Sequence, residues 1–172
     1  MFLVAAALLI AACNNENVEP IPELRPLLEV EYTNYAWVPT WVGYVVGSGG
    51  EVVKYDRKGA PWPSAEKTSG TITELQDKYQ PEQMWVSTKD VSAVPAQIGQ
   101  VDAAATTPPQ SRCADAGYLS YYAYTYKSGT YTRILLWRGG DQLAKNTSPA
   151  AQQLISYIRS LNLINEPQGC TP

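Results

Sequence analysis

The alternation of apolar and polar residues along the chain predicts two β-hairpins. A β-prone run over 41–46 leads into Gly47-Ser48-Gly49-Gly50, and a second run over 51–55 follows it. A glycine cluster between two such runs is typical of a hairpin turn. Further along, 118–127 alternates around its tyrosines and 131–137 returns through isoleucine and leucine. Both pairs of runs therefore predict antiparallel strands.

Two helices are predicted from their N-terminal residues. Thr71 and Glu74 have the spacing of a capping box, in which each side chain accepts a hydrogen bond from the other residue's backbone N–H. This predicts a short helix over 72–79. Ser148 and Pro149 are residue types preferred at the N-cap and at the first helical position. The apolar stripe of this second helix consists of Leu154, Ile155, Ile158 and Leu161.

The predicted fold class is α+β, because an amphipathic helix needs a sheet to cover its apolar face. We expect an antiparallel sheet made of the two hairpins plus edge segments, with the C-terminal helix and the short middle helix packed on one face. Residues 84–86 are expected to form a short strand or an extended link. Residues 89–112 are expected to be loop, anchored by Val91, Val94 and Ile98.

The N-terminal stretch is an uncharged apolar run that ends at Cys13, directly behind Ile10-Ala11-Ala12. It resembles the lipobox of bacterial lipoproteins, whose signal peptidase cuts before a lipidated cysteine. The run of about 12 residues is shorter than the roughly 20 that a membrane-spanning helix needs and fits the core of a signal peptide. It departs from the usual pattern because no Lys or Arg precedes Cys13. The alternative is a buried N-terminal strand or helix.

The domain boundaries follow from this lipoprotein hypothesis. Residues 1–12 are predicted to be a signal peptide, 13–30 a lipidated tether rich in proline and glutamate, and 31–172 a single α+β domain. The alternative for the end of the tether is that 24–30 docks as an edge segment. Because Asn14 rather than an aspartate follows the cysteine, resemblance to other lipoproteins favours the outer membrane. The expected partner at this end is the membrane, through the lipid.

Composition excludes several classes of function. The chain carries 13 Lys and Arg against 16 Asp and Glu, a formal charge of −3, so it has no basic field to attract nucleic acid. It contains no histidine, which excludes a histidine-based catalytic triad and a histidine-liganded zinc site. We therefore expect no cofactor, no metal site and no catalytic residue of those types.

Lipidation would also decide how the three cysteines pair. If Cys13 is lipidated, Cys113 and Cys170 remain as an even pair in an oxidising compartment. We predict a disulfide between them that holds the C-terminal tail against the loop before Tyr118. The alternative is a pair of free thiols.

The order of predicted elements resembles that of emfourin-type proteinaceous inhibitors of thermolysin-like metalloproteases, and of uncharacterised lipoproteins with the same layout. The resemblance rests on the strand and turn over 45–52, the hairpin over 121–137 and the helix start over 148–154. It implies a protease as a possible partner. The chain departs from the pattern in its long middle, 71–110, and in its cysteine pair, so no inhibitory residue is carried over.

Three functions are weighed from these observations. The first is a non-enzymatic binding module at the cell envelope, possibly a protease inhibitor, with Gly47, Ser48, Gly49 and Gly50 as a possible binding loop. The second is a hydrolase of envelope polymers that uses two carboxylates, which requires no histidine. The candidate carboxylates near turns and strand ends are Glu51, Asp56, Asp115 and Asp141.

The third function is a glycan-binding or envelope-assembly component. Tyr122, Tyr124 and Tyr126 alternate along one predicted strand and so share one face of it. Exposed aromatic rings in such a row could stack on sugars. Burial of this row under the C-terminal helix would remove the main support for a glycan platform.

Overall fold

A computed structural model describes residues 24–36, 39–57, 68–79 and 84–165. The predicted signal peptide, Cys13 and Cys170 lie outside the described residues. The described strands are β1 Pro26–Asn34, β2 Thr40–Gly47, β3 Glu51–Asp56, β4 Ser69–Thr71, β5 Met84–Thr88, β6 Gln110–Ser111, β7 Tyr118–Lys127, β8 Thr130–Gly140 and β9 Gln142–Lys145. The helices are α1 Ile72–Tyr79, α2 Val94–Ile98 and α3 Pro149–Ser160, and Ala103–Ala105 form a 3₁₀ turn.

The strands described form one antiparallel sheet in the order β5-β3-β2-β1-β7-β8-β9-β6, and β4 pairs with β8 off this path. With three helices beside it, the sheet confirms the α+β class. β2 pairs with β3 and β7 pairs with β8, where the sequence pattern placed the two hairpins. No helix in the described part of the chain is long and apolar enough to cross a membrane.

Both longer helices begin at the residues that the sequence indicated. The backbone N–H of Thr71 donates to Oε2 of Glu74 at 2.8 Å, and the N–H of Glu74 donates to Oγ1 of Thr71 at 3.2 Å. The hydroxyl oxygen of Ser148 accepts from the N–H of Ala151, and Pro149 opens α3. These local hydrogen bonds satisfy N–H groups that a helix start leaves without partners inside the helix.

The predicted boundary between tether and domain near Val30 is wrong. β1 lies at the centre of the sheet, pairing with β2 on one side and β7 on the other. Leu24, Leu27 and Leu28 are buried as well. The sequence of 24–30 resembles a tether because proline and glutamate are typical of solvated chain. In the structure, however, Glu29 and Glu31 of β1 are both paired inside the fold.

The two faces of the sheet carry separate cores. Successive residues of β1 point to opposite faces, so Leu28 and Val30 belong to one core and Glu29 and Glu31 face the other. The first core contains buried residues of α2 and α3, among them Val94, Ile98, Ala151, Leu154, Ile155 and Ile158. The second contains the buried residues of α1 and their neighbours, including Leu75, Tyr79, Trp41, Val45, Tyr55 and Tyr124.

This division corrects the expectation that the middle and C-terminal helices share one face, because α1 and α3 cover opposite faces.

The middle of the chain also differs from its predicted loop. Val94 and Ile98 are buried anchors as expected, and they belong to the short helix α2, which contacts α3. Its five residues, with Pro95 inside it and Gly99 behind it, are too few to show a helical period.

Candidate functional site

A cluster of four charged side chains lies in the second core, between α1 and the sheet. Nζ of Lys78 lies 2.6 Å from Oε1 of Glu29 and 2.9 Å from Oε2 of Glu31. Nη2 of Arg133 lies 2.9 Å from Oε2 of Glu29 and 2.8 Å from Oε1 of Glu31. The relative exposures are 0% for Glu29, 3% for Glu31 and Lys78, and 7% for Arg133. The cluster joins β1, α1 and β8 and has two charges of each sign.

Aromatic side chains complete the hydrogen bonding of the two carboxylates. The hydroxyl of Tyr55 donates to Oε1 of Glu29 at 2.6 Å, and the hydroxyl of Tyr124 donates to Oε2 of the same residue. Nε1 of Trp41 donates to Oε2 of Glu31 at 2.8 Å. A buried carboxylate is stable only when its oxygens are paired in this way. The cluster is therefore a closed structural unit.

The pKa values follow from this enclosure. Burial alone would raise the pKa of Glu31, but the positive charges of Arg133 and Lys78 outweigh it and hold the pKa well below its ordinary value of 4.5. Burial, followed by the negative charge of Glu29, raises the pKa of Tyr55 and Tyr124 well above 10. Glu31 therefore stays ionised, and both tyrosines stay protonated and able to donate.

Acid is expected to destabilise the chain through Glu31. Because its folded pKa is below its unfolded value, the unfolded chain binds more protons as the pH falls, so this contribution is fully present above about pH 5.5 and decreases below it. Urea unfolding at about pH 7 and about pH 4 measures the difference. The variant Glu31→Gln should lose less free energy of unfolding between these two pH values than the wild type. An equal loss in both proteins would exclude Glu31 as a source of the pH dependence.

The predicted tyrosine row does not form an exposed platform. Tyr122 and Tyr124 are buried in the second core, and Tyr126 is half-buried, with its hydroxyl donating to the carbonyl of Pro26. The guanidinium carbon of Arg133 lies 3.4 Å from the ring centre of Tyr122. The cover comes from the core that contains α1, and not from α3. Neither buried ring offers a face to a sugar.

The predicted carboxylates are not gathered into one site. Glu51 and Asp56 lie at opposite ends of β3. Asp141 accepts from the backbone N–H groups of Ala116 and Gly117 at 3.1 and 2.9 Å, so its carboxylate organises the loop before β7. Asp115 lies in the same loop with its side chain exposed. The buried carboxylates are instead Glu29 and Glu31, which the sequence did not single out.

Cys113 lies in the loop before β7, and its Sγ is 3.3 Å from Oδ1 of Asp141. Its proposed partner Cys170 is outside the described residues, so the disulfide stays a prediction. Within the described residues, no group of three or more Cys, Asp or Glu side chains could hold a metal ion.

The predicted glycine loop forms a tight turn between β2 and β3. Ser48 and Gly49 are exposed, whereas Gly47 and Gly50 are buried. The carbonyl of Gly50 accepts from the N–H of Lys89 at 2.8 Å, which joins the turn to the end of β5. Gly50 has a φ of 85°, and a Cβ there would lie 2.2 Å from the carbonyl oxygen of Lys89. Only glycine therefore fits this junction without strain.

Beside this turn, β5 is an edge strand that exposes large apolar side chains. It pairs with β3 on one side, and no described strand lies beyond it. Met84 is 59% exposed, Trp85 66% and Val86 41%. The register shifts between Val52 and Val53, so Val86 is the extra residue of a β-bulge. Edge strands are often kept from pairing with other chains by charged residues, proline or a bulge; 84–88 contains no charged residue and no proline, and of these features it has the bulge at Val86.

We call β5 together with the turn over 47–50 the interaction edge. The sequence indicates the turn and predicts only a strand or an extended link over 84–86. The exposure of Met84, Trp85 and Val86 is not visible in the sequence, because three apolar residues in a strand-prone run are typical of a core strand.

No protein-family model, curated protein or solved structure matches the chain.

Proposed function

We propose that this protein is a non-enzymatic binding module of the bacterial cell envelope that captures an extended segment of a partner protein along the interaction edge. The observation that carries the proposal is the exposure of Met84, Trp85 and Val86 on a strand whose outer side has no described neighbour. Such a strand can accept a further strand through its backbone, while the side chains select the sequence of the added segment.

The residue types of the interaction edge suit protein recognition. Tryptophan and methionine are enriched in protein interfaces, and tryptophan is among the residues whose removal costs most binding energy. Met84 pairs with Lys54 and Trp85 with Val53, so their side chains project on opposite faces of the sheet. A bound strand would therefore contact an apolar side chain on each face.

A partner protein suits this edge better than a second copy of the chain. A five-residue strand is about 17 Å long, so two copies paired through β5 alone would bury far less than the about 1,600 Å² of a standard interface. A partner can extend over the adjoining turn, where Ser48 and Gly49 are exposed. Sedimentation of the purified chain measures self-association directly.

The sheet behind the edge is suited to hold it in place. β3 is fixed to the centre of the sheet through β2, and its Tyr55 donates to Glu29 in the buried cluster. A site on a rigid element loses less conformational entropy on binding than one on a loop. The buried charges therefore serve binding indirectly, by fixing the strand next to the edge.

The location at the envelope is proposed from the N-terminal residues. Lipidation of Cys13 would hold the domain at the outer membrane by a tether between Cys13 and Leu24, the first described residue. The most specific proposal for the partner is a protease, because the order of elements resembles that of emfourin-type inhibitors. A thermolysin-like protease is accordingly the first partner to test.

Photo-crosslinking in the native host tests the proposal with the full chain. A photoreactive phenylalanine analogue in place of Trp85 should form a covalent adduct with a second protein, whereas the same analogue in place of Tyr35, another exposed aromatic residue, should not. Adding Val86→Lys to the first variant should reduce the adduct at least tenfold, since an edge lysine opposes strand pairing. Absence of an adduct at position 85, or equal adducts at both positions, would contradict the proposed edge.

A further inference from the structure

A second candidate site lies at the end of the sheet beside Leu24 and Arg25, the first two described residues. A cavity of about 340 Å³ opens there between the start of β1, the first turn of α1 and the turns after β2 and β7. Leu24, Ile72 and Tyr126 form its apolar wall, and Arg25, Lys127 and the hydroxyl of Ser48 are its polar groups. Its volume lies in the range of small-molecule sites, about 300–1,000 Å³.

The charge of the cavity is positive. Arg25 and Lys127 are both exposed lining residues, and no Asp or Glu is among the described lining residues. The guanidinium carbon of Arg25 lies 4.4 Å from the ring centre of Tyr126. The hydroxyl of Tyr126 in turn donates to the carbonyl of Pro26 at 2.6 Å, which fixes the ring. A guanidinium held over an aromatic ring can still direct N–H groups toward an oxyanion.

These groups select a class of ligand. A planar guanidinium with a nearby ammonium and a hydroxyl matches the oxygens of a phosphate, and the apolar wall matches a short hydrocarbon body. We infer that the cavity binds a phosphate group carried on a short apolar body. Two sources have this chemistry, the head group of an anionic phospholipid and a water-soluble phosphate ester.

The position of the cavity is consistent with the lipid source. Its residue Leu24 is the first described residue, so the cavity lies close in sequence to the proposed lipid anchor at Cys13. The ten residues between Cys13 and Leu24 give eleven Cα-to-Cα steps, which span at most about 40 Å when the chain is extended. A chain lipidated at Cys13 would keep the cavity within that distance of the bilayer surface. The inference does not depend on the proposed partner of β5.

Thermal unfolding of the full chain in neutral dodecyl maltoside micelles tests the inference. One arm adds phosphatidylglycerol to the micelles, and the other adds monobutyl phosphate, a water-soluble ester with a short apolar body, to the buffer. A ligand that binds only the folded chain raises the unfolding temperature as its concentration increases. A rise in the first arm identifies a lipid as the source, a rise in the second identifies a soluble ester, and either rise supports the cavity.

Two double variants with the same change of net charge complete the test. Arg25→Gln with Lys127→Gln should lower the apparent affinity at least tenfold. Arg112→Gln with Lys145→Gln, which removes two exposed cations that do not line the cavity, should leave it within about twofold. Absence of a rise in both arms, or an equal loss in the two double variants, would overturn the inference.

Discussion

Replacing Lys78 by methionine is expected to lower the free energy of unfolding by about 3–5 kcal/mol. The change removes one positive charge from a cluster whose four members are all buried, and it leaves Glu29 and Glu31 to share Arg133. An uncompensated buried charge costs far more than the lost contact itself. Urea unfolding followed by tryptophan fluorescence measures the loss. Lys145→Met, at an exposed position, is the matched control and should change the free energy by less than about 0.5 kcal/mol.

A double-mutant cycle separates charge balance from simple packing. Glu31→Gln alone leaves an excess positive charge, whereas Lys78→Met with Glu31→Gln restores equal numbers of the two signs, with Glu29 and Arg133 still 2.9 Å apart. The loss in the double variant should therefore be smaller than the sum of the two single losses by at least about 1 kcal/mol. Strict additivity would show that the four charges do not act as a unit.

Gly43→Ala is expected to lower the free energy of unfolding by about 2–4 kcal/mol. A Cβ at Gly43 would lie 2.5 Å from Cζ and Oη of Tyr55 and 2.5 Å from the carbonyl oxygen of Val30. The ring of Tyr55 therefore has to move, and with it the hydroxyl that donates to Glu29. The side chain is buried, so it cannot swing into solvent to relieve the contact.

Gly99→Ala is the matched control for this effect. Gly99 follows α2 with a φ of −61°, and a Cβ there would make only ordinary contacts of 3.6 Å and longer. The free energy of unfolding of Gly99→Ala should stay within about 1 kcal/mol of that of the wild type. Thermal and urea unfolding of the two variants side by side give the comparison. Equal stability of Gly43→Ala and Gly99→Ala would show that the placement of Tyr55 against the sheet does not contribute to stability.

The elements that local sequence determines were predicted well. The start of α1 depends on Thr71 and Glu74, and the start of α3 on Ser148 and Pro149, so each is visible within a few residues. The turn at 47–50 is likewise local. Predictions of this kind need no knowledge of the rest of the fold.

The centre of the sheet was not predicted, because its identity depends on distant residues. Glu29 and Glu31 would place β1 in solvent if their partners were absent, and those partners lie 49 and 104 residues from Glu29 in the chain. Because charged residues are usually exposed, the sequence pattern indicates a solvated tether for this segment. The division of α1 and α3 between two faces was missed for a related reason, since a short amphipathic helix does not indicate which face it covers.

The interaction edge was predicted in part. The turn over 47–50 was chosen from its glycines, but the exposure of Trp85 follows from the order of strands in the sheet. The same three residues, Met84 to Val86, would be core in a central strand. Strand order is a long-range property that hydrophobic alternation does not contain.

Amide hydrogen exchange tests directly whether β5 accepts a strand from a partner protein. Exchange of the full chain is compared before and after addition of the protein identified by crosslinking at position 85. We expect backbone amides within Met84–Thr88 to exchange at least tenfold more slowly in the complex, while exchange of the amides of β7, at the centre of the sheet, does not change. Unchanged exchange in Met84–Thr88 with protection elsewhere on the chain would contradict it.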